Sequence, residues 1–427
     1  MKYLYALWLP LLAVIAAVLL YVLAPYAAST FATDRSEEAK PLTGEELQSA
    51  IERGRYVSIA SDCVACHTAP GSGDPFAGGY PLQTPFGTIF STNITSDKET
   101  GIGAWSEADF VAALRYGKRK DGANLYPAMP YTSYSQMSVQ DMRDLWHFIR
   151  SIPPVQNAPP ATSLPFPFNI RMSLTIWNWL FAKRQLFEQN ERMSREWNRG
   201  AYLVNALGHC TVCHTPKNIL GGDSSGFLQG GDLGSWAAPD ISSNTKTGLG
   251  NWTKEQIAEY LKTGSNHVAV ASGPMAEVIN SSTQHLDDQD ISAISGYLQT
   301  IAPGPYSNSG SVLDQAVMMQ GQQIYTTKCS VCHRPDGRGF SGRAAGLAAN
   351  PNISGDNPAS LINTVLYGGR GVSTERKRSA GIMPPFGRKL TDQEVAAVLT
   401  YIRNSWGNAA PPVGQEEVSR YRERFPR

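Results

Sequence analysis

The pattern of apolar and polar positions divides the 427-residue chain into an apolar leader and three repeats of one helical plan. After Lys2 the chain is almost without polar residues from Tyr3 to Ala28, with Tyr3, Tyr5 and Trp8 at one end and Tyr21 and Tyr26 at the other. A bilayer core needs roughly 20 such residues, whereas a signal peptide's apolar region is usually about 7 to 15. Residues 1–30 are therefore expected to form a transmembrane anchor. A cleaved signal peptide is the competing expectation, because Ala27-Ala28-Ser29 and Thr30-Phe31-Ala32 offer small residues for cleavage. Under either reading Lys2 stays on the cytoplasmic side and the rest of the chain is exported.

After a polar tether from Thr33 to Leu42, an expected helix from Thr43 to Ser58 carries Gly54 and Tyr56. The same pair recurs as Gly200 with Tyr202 and as Gly321 with Tyr325. Each repeat closes with a second expected helix, at Ser138 to Ile152, Asp287 to Ile301 and Thr391 to Trp406. These put Phe148, Tyr297 and Tyr401 at equivalent places. A glycine on one helix facing an aromatic residue on the other suits a close crossing. Thr391 and Glu394 have capping-box spacing. The first two repeats are near duplicates: Trp105 and Trp252 are 147 residues apart, as are Cys63 and Cys210, and each tryptophan precedes a capped helix starting at Ser106 or Thr253. The third repeat lacks that tryptophan and is shorter, though Pro351-Asn352-Ile353 is comparable to Pro239-Asp240-Ile241. Domains are expected at 43–156, 196–305 and 313–410, with a Pro-rich and aromatic linker at 157–195 and a tail at 411–427.

Each repeat carries one C-x-x-C-H pentapeptide: Cys63-Val64-Ala65-Cys66-His67, Cys210-Thr211-Val212-Cys213-His214 and Cys329-Ser330-Val331-Cys332-His333. Together they use all 6 cysteines. This is the attachment signature of haem c. Two thiols one turn apart add to the two haem vinyl groups, and the histidine becomes the proximal iron ligand. A zinc cage fails for want of a further cysteine, and a C-x-x-C disulfide would close only a tiny loop. Three covalently bound haems are implied, in an all-α fold of three tandem class I cytochrome c domains after the N-terminal helix.

The sixth iron ligand follows by elimination. A thioether ligand raises haem potential. Met275 is the only methionine between His214 and the end of the second repeat, and Met383 the only one after His333. In the first repeat Met129, Met137 and Met142 compete. Met129 sits in Pro127-Ala128-Met129-Pro130, a loop like Ile382-Met383-Pro384, and is in register with Met275. The metal ligands are then expected to be His67, Met129, His214, Met275, His333 and Met383. His267 and His285 are the rivals of Met275; His147 falls on a helix, and His209 is too near Cys210 to reach the distal face.

With Lys+Arg 37 against Asp+Glu 36 the net charge is +1, which excludes an electrostatic footprint for nucleic acid. The basic run Glu375-Arg376-Lys377-Arg378 reads as a solvated loop, with steering of an acidic partner as the alternative. In the linker, Ile170 to Phe181 is apolar and aromatic but too short to span a membrane. It either packs on the haem domains or meets a partner subunit or the bilayer interface.

The three motifs together with Thr92-Asn93-Ile94-Thr95, Thr100-Gly101-Ile102-Gly103, Leu125 to Tyr131, Gly208-His209-Cys210 and Ser405-Trp406-Gly407-Asn408 give a resemblance over about residues 45 to 410. The chain resembles the trihaem cytochrome c subunit of bacterial membrane-bound dehydrogenases, which serves alcohol, gluconate, fructose and aldehyde oxidation. The resemblance implies a relay at the periplasmic side of the inner membrane. Electrons would pass from a separate catalytic subunit carrying PQQ, FAD or molybdenum, with room for a small iron–sulfur or chaperone-like subunit beside it, to ubiquinone. The long apolar N-terminus departs from the alcohol-dehydrogenase members, which usually carry a cleavable signal, and leans toward the molybdenum type. The chain has no G-x-G-x-x-G, no propeller-length domain and no molybdenum module, so it is not expected to be an enzyme on its own. The competing reading is a haem subunit feeding a terminal oxidase, or a peroxidase-type haem enzyme.

Overall fold

The computed structural model describes residues 42–426 apart from residue 72, residues 305–312 and residues 379–380. The expected anchor at 1–30 lies outside the described residues. Among those described, no helix is long and apolar enough to cross a membrane.

The first repeat is built on helices α1 (Gly44–Ala60), α2 (Glu107–Tyr116) and α3 (Val139–Ser151). Helix α4 (Ser173–Phe181) follows it in the linker. The second repeat has α5 (Arg195–Tyr202), α6 (Lys254–Thr263), α7 (Pro274–Ser281) and α8 (Asp288–Leu298). The third has α9 (Gln315–Ile324), α10 (Ala359–Tyr367) and α11 (Asp392–Arg403), followed by α12 (Gln415–Arg424) in the tail. Ser106 with Asp109, Thr253 with Gln256 and Thr391 with Glu394 form reciprocal capping boxes, which fix where α2, α6 and α11 begin.

The first and last helices of each repeat cross at the expected glycines. A Cβ on Gly54 would lie 1.9 Å from the Asp144 carbonyl oxygen, one on Gly200 2.0 Å from that of Ala293, and one on Gly321 2.2 Å from that of Ala397. The next close neighbours include Cβ of Phe148, Tyr297 and Tyr401. Only glycine permits backbone to meet backbone this closely.

The fold is not purely helical. Among the described residues three antiparallel ladders accompany the helices: Pro81–Thr84 with Gly87–Phe90, Gln229–Asp232 with Ala237–Asp240, and Gly369–Arg370 with Ile382–Met383. These strands are too short, and in Gln229-Gly230-Gly231-Asp232 too polar, to carry an alternating pattern.

Among the described residues two hydrophobic cores form. One runs without interruption from Val57, Ile102 and Met142 in the first repeat to Val204, Trp252 and Leu298 in the second, and the other is confined to the third repeat and tail, from Ile324 to Tyr421. The first two repeats are also joined by a reciprocal pair of hydrogen bonds. Tyr56 on α1 donates to Asp290 on α8 at 2.7 Å and accepts from the Asp287 amide. Tyr202 on α5 donates to Asp141 on α3 and accepts from the Ser138 amide. Equivalent residues thus make equivalent contacts in both directions, as across an approximate twofold axis. Burial and the adjacent carboxylates raise both phenols well above their ordinary pKa, so they remain donors.

The third repeat joins this pair through both apolar and polar contacts, Ala237 packing on its core. Ser360 bonds both the amide and the carbonyl of Ala237, and Tyr421 donates to the Ser235 carbonyl. The basic run is largely exposed yet reaches the second repeat: Arg376 pairs with Asp288 at 2.8 Å and Lys377 with Glu259 at 3.3 Å. Cations and carboxylates meet there because the loop crosses between repeats.

Candidate haem centres

Each motif occupies the end of a helix and a one-turn helix beyond it, Cys63–Cys66, Thr211–His214 and Ser330–His333. In the second and third repeats, single π-turns at Leu203–Leu207 and Tyr325–Cys329 lead into it. The three histidines share one geometry. Nδ1 of His67 lies 2.7 Å from the Thr92 carbonyl oxygen, that of His214 2.8 Å from Pro239 and that of His333 2.9 Å from Ala345. A carbonyl can only accept, so Nδ1 carries the proton and Nε2 keeps its lone pair for a metal. Burial lowers the pKa of all three, which keeps the rings neutral.

All six thiols are free. Burial pushes Cys63 and Cys210 up to about 12 and Cys329 up to about 11. A thiolate used for redox exchange or zinc has a depressed pKa instead.

An apolar cavity of about 330 Å³ receives Cys210, Cys213, His214 and Met275 from the second repeat and Cys329, His333 and Met383 from the third. The histidine and methionine of the second and of the third repeat therefore share this one space, whereas His67 and Met129 do not line it. Met275 comes from α7 and Met383 from a two-residue strand, so the ligand segments differ in local structure. Met129 lies in a turn, its amide bonded to the Tyr126 carbonyl, and packs half-buried on the first core. Met137 and Met142 are fully buried in that core. Neither rival imidazole lines the cavity: His267 is exposed, and His285 bonds the Asn280 carbonyl and faces Glu375.

The family model for cytochrome c matches residues 51–153, 198–302 and 318–406. The chain belongs to the cytochrome c family. It is 39% identical over 421 residues to the fructose dehydrogenase cytochrome subunit of Gluconobacter japonicus, covering 91% of this chain and 86% of that one. It is 40% identical to the gluconate 2-dehydrogenase cytochrome c subunit of Pantoea cypripedii, with 84% and 86% covered. To the cytochrome c subunit of the quinone alcohol dehydrogenase of Gluconobacter oxydans it is 39% identical, with 85% and 80% covered.

The residues present fit the haem c that a cytochrome c domain implies. Besides thiols, imidazole and thioether, the cavity wall contains Trp252, whose buried indole Nε1 has no hydrogen-bond partner among the described residues. Such an orphaned donor is costly unless something accepts from it, and a haem propionate is an acceptor of the right chemistry.

Between the first two motifs lies a group of residues whose meeting the sequence does not show. Asp62 and His209, each just before the first cysteine of its motif, both have left-handed backbone, at φ 51° and 38°. Both line the cavity. Burial, with Glu277 nearby, pushes the Asp62 carboxyl up to about 8. Tyr134 is buried between them. Its hydroxyl donates to the Ser61 carbonyl at 2.8 Å and its ring meets that of His209 edge-on, 5.6 Å between centroids. The shared left-handed position before each first cysteine could not be seen in Ser61-Asp62-Cys63 and Gly208-His209-Cys210, because neither Asp nor His demands it.

Proposed function

We propose that this protein is the trihaem electron-transfer subunit of a membrane-bound, quinone-linked dehydrogenase at the periplasmic face of a bacterial inner membrane. Cys63 and Cys66, Cys210 and Cys213, and Cys329 and Cys332 hold the haems. His67 with Met129, His214 with Met275 and His333 with Met383 complete the iron coordination. The observation that carries this reading is the threefold repetition of one histidine geometry with a methionine facing the same cavity in two repeats, in a chain whose relatives are cytochrome subunits of dehydrogenases. Haem supplies one-electron chemistry; the protein supplies fixed ligands, a dry surround and fixed spacing. With a histidine and a methionine each committed to a haem iron, no open site would remain for substrate, so the subunit would relay electrons while a separate catalytic subunit oxidises the alcohol, aldehyde or sugar.

Two surfaces support a direction. The third motif is the most open: Cys332 is exposed, as Cys66 is in the first, but here Val331 is also 79% exposed and Arg334 and Arg338 flank them. This edge suits reduction by the catalytic subunit. At the other end, α4 packs against the Met129 segment, with Asn178 accepting from Tyr131 at 2.6 Å. Its outer residues Ile176, Trp179 and Leu180, with Phe166 and Met172 before it, stay exposed. An aromatic, apolar face beside the first haem suits the bilayer interface, where ubiquinone is reached.

The test is to purify the subunit from membranes with its partners. Haem content should be three per chain by pyridine haemochromogen, a dehydrogenase subunit should co-purify, and its substrate should reduce all three haems, with reoxidation by a ubiquinone analogue. Substrate oxidation by the isolated chain, or a carbon monoxide-binding haem in the reduced state, would overturn the reading.

A further inference from the structure

The contact between the first two motifs differs in kind from that between the second and third. Between the second and third motifs one apolar cavity receives the candidate ligands of both, whereas the first repeat lends it only Ala60 and Asp62. Between the first and second motifs, buried side chains intervene. Tyr134 is 4% exposed and sits on the one-turn helix Tyr131–Tyr134, immediately after the Met129 segment. Its hydroxyl is anchored on Ser61, two residues before Cys63, and its ring touches His209, one residue before Cys210. The imidazole of His209 also reaches the Ser61 backbone and lines the cavity that holds Cys210 and His214. Ser133 beside Tyr134 lies 3.5 Å from Thr211, inside the second motif, hydroxyl to hydroxyl.

The third repeat has no such bridge among the described residues. The residue before its first cysteine is Lys328, exposed and part of a π-turn, and the tyrosine near that motif, Tyr325, donates to Arg334 within its own repeat. The bridge therefore belongs to the junction of the first two repeats and is not a by-product of the motif.

We infer that Tyr134 and His209 are positioning residues that fix and couple the first and second haems, so that the step between them runs through an aromatic contact held on the Ser61 carbonyl. This rests on the relay reading above. In that step the donor iron is oxidised from Fe(II) to Fe(III) and the acceptor iron is reduced from Fe(III) to Fe(II). No proton moves, because Tyr134 keeps its bond to Ser61 and burial keeps His209 neutral. Packed rings shorten the through-space gaps that an electron must otherwise cross, and a clamped ring does so at constant distance.

The test uses the full trihaem chain with Tyr134→Leu, Tyr134→Phe and His209→Leu. Flash photoreduction followed by spectral equilibration gives the inter-haem rates, and potentiometric titration gives the three midpoint potentials. The expected result is a several-fold slower equilibration between the first two haems in both leucine variants, recovery of most of that rate in Tyr134→Phe, and unchanged potentials and rate between the second and third haems. Unchanged equilibration in Tyr134→Leu and His209→Leu would overturn the proposal, as would equal slowing of both steps, which would mean general loosening. If the unmodified chain shows no equilibration among haems, the relay reading fails instead, so the two failures are distinct.

Discussion

Each candidate histidine has one ring nitrogen committed to a backbone carbonyl, leaving a single productive orientation for the other. This part of the site was legible because C-x-x-C-H is defined by local spacing, and local spacing survives folding. Elimination points to Met275, which lines the cavity with His214, whereas of its rivals His267 is exposed and His285 is turned to Asn280. Trp252 and Tyr134 were not legible as site residues. Trp252 read only as a marker of the repeat, and nothing in the chain ties residue 134 to residue 209 until the first two repeats pack. Met275→Ala should remove the sulfur-to-iron charge-transfer band of one oxidised haem. It should lower that haem's potential by on the order of 0.1 V, a fraction of the roughly 0.8 V that axial ligands span. Optical titration of the three haems checks this, and an unchanged band would return the ligand role to an imidazole.

Among the elements, helix starts were read best, since a capping box needs only residues three apart and those at Ser106, Thr253 and Thr391 form as their sequences require. The ladders were missed for lack of period. The sequence marks α4 as an apolar segment without fixing its partner. The signal lay in Asn178, one polar residue within an apolar run, which is 1% exposed and bonded to Tyr131. The helix crossings make a sharper forecast. Alanine at Gly321 would drive its Cβ into the Ala397 carbonyl, and at Gly54 into that of Asp144. Neither neighbour is a side chain that can swing away, so α9 and α11, or α1 and α3, must separate, at a cost of about 1–3 kcal/mol as in other overpacked contacts. Because the third repeat has its own core, Gly321→Ala should produce a separate, earlier thermal transition of one haem. Gly54→Ala should lower the transition of the first two haems together, since their core is shared. Melting followed at the haem bands distinguishes the two patterns.

For the molecule as a whole, the sequence showed three units in a row, whereas the packing makes a pair and a single. The first core contains residues from Val57 to Ile301 and none from the third repeat, so burying the first repeat's apolar residues requires the second. The reciprocal Tyr56–Asp290 and Tyr202–Asp141 contacts add a clamp whose two halves each seat a phenol on a helix N-terminus of the other repeat. The third repeat attaches by hydrogen bonds, by apolar contacts at Ala237 and the shared cavity, and by exposed ion pairs such as Arg376–Asp288, and pairs of that last kind contribute only about 0–1 kcal/mol each. A chain ending at residue 304 should therefore fold as a dihaem protein with one cooperative transition, because the cut removes no member of its core. A chain ending at residue 156 should fail to accumulate in soluble form, because Val57, Ala60 and Met137 would lose apolar neighbours such as Val204 and Leu207. Expression with haem-maturation proteins and a haem count of two per chain tests the first, and the second is read in the same preparation. The dihaem fragment should also bind its second haem in a more open site, since Leu347, Asn350 and Ile353 of the third repeat line that cavity and leave with it. Faster reduction of that haem by a small soluble reductant than in the full chain is the expected sign. An equal rate would mean that the third repeat does not shield it, and that the continuous cavity is closed between the two haems.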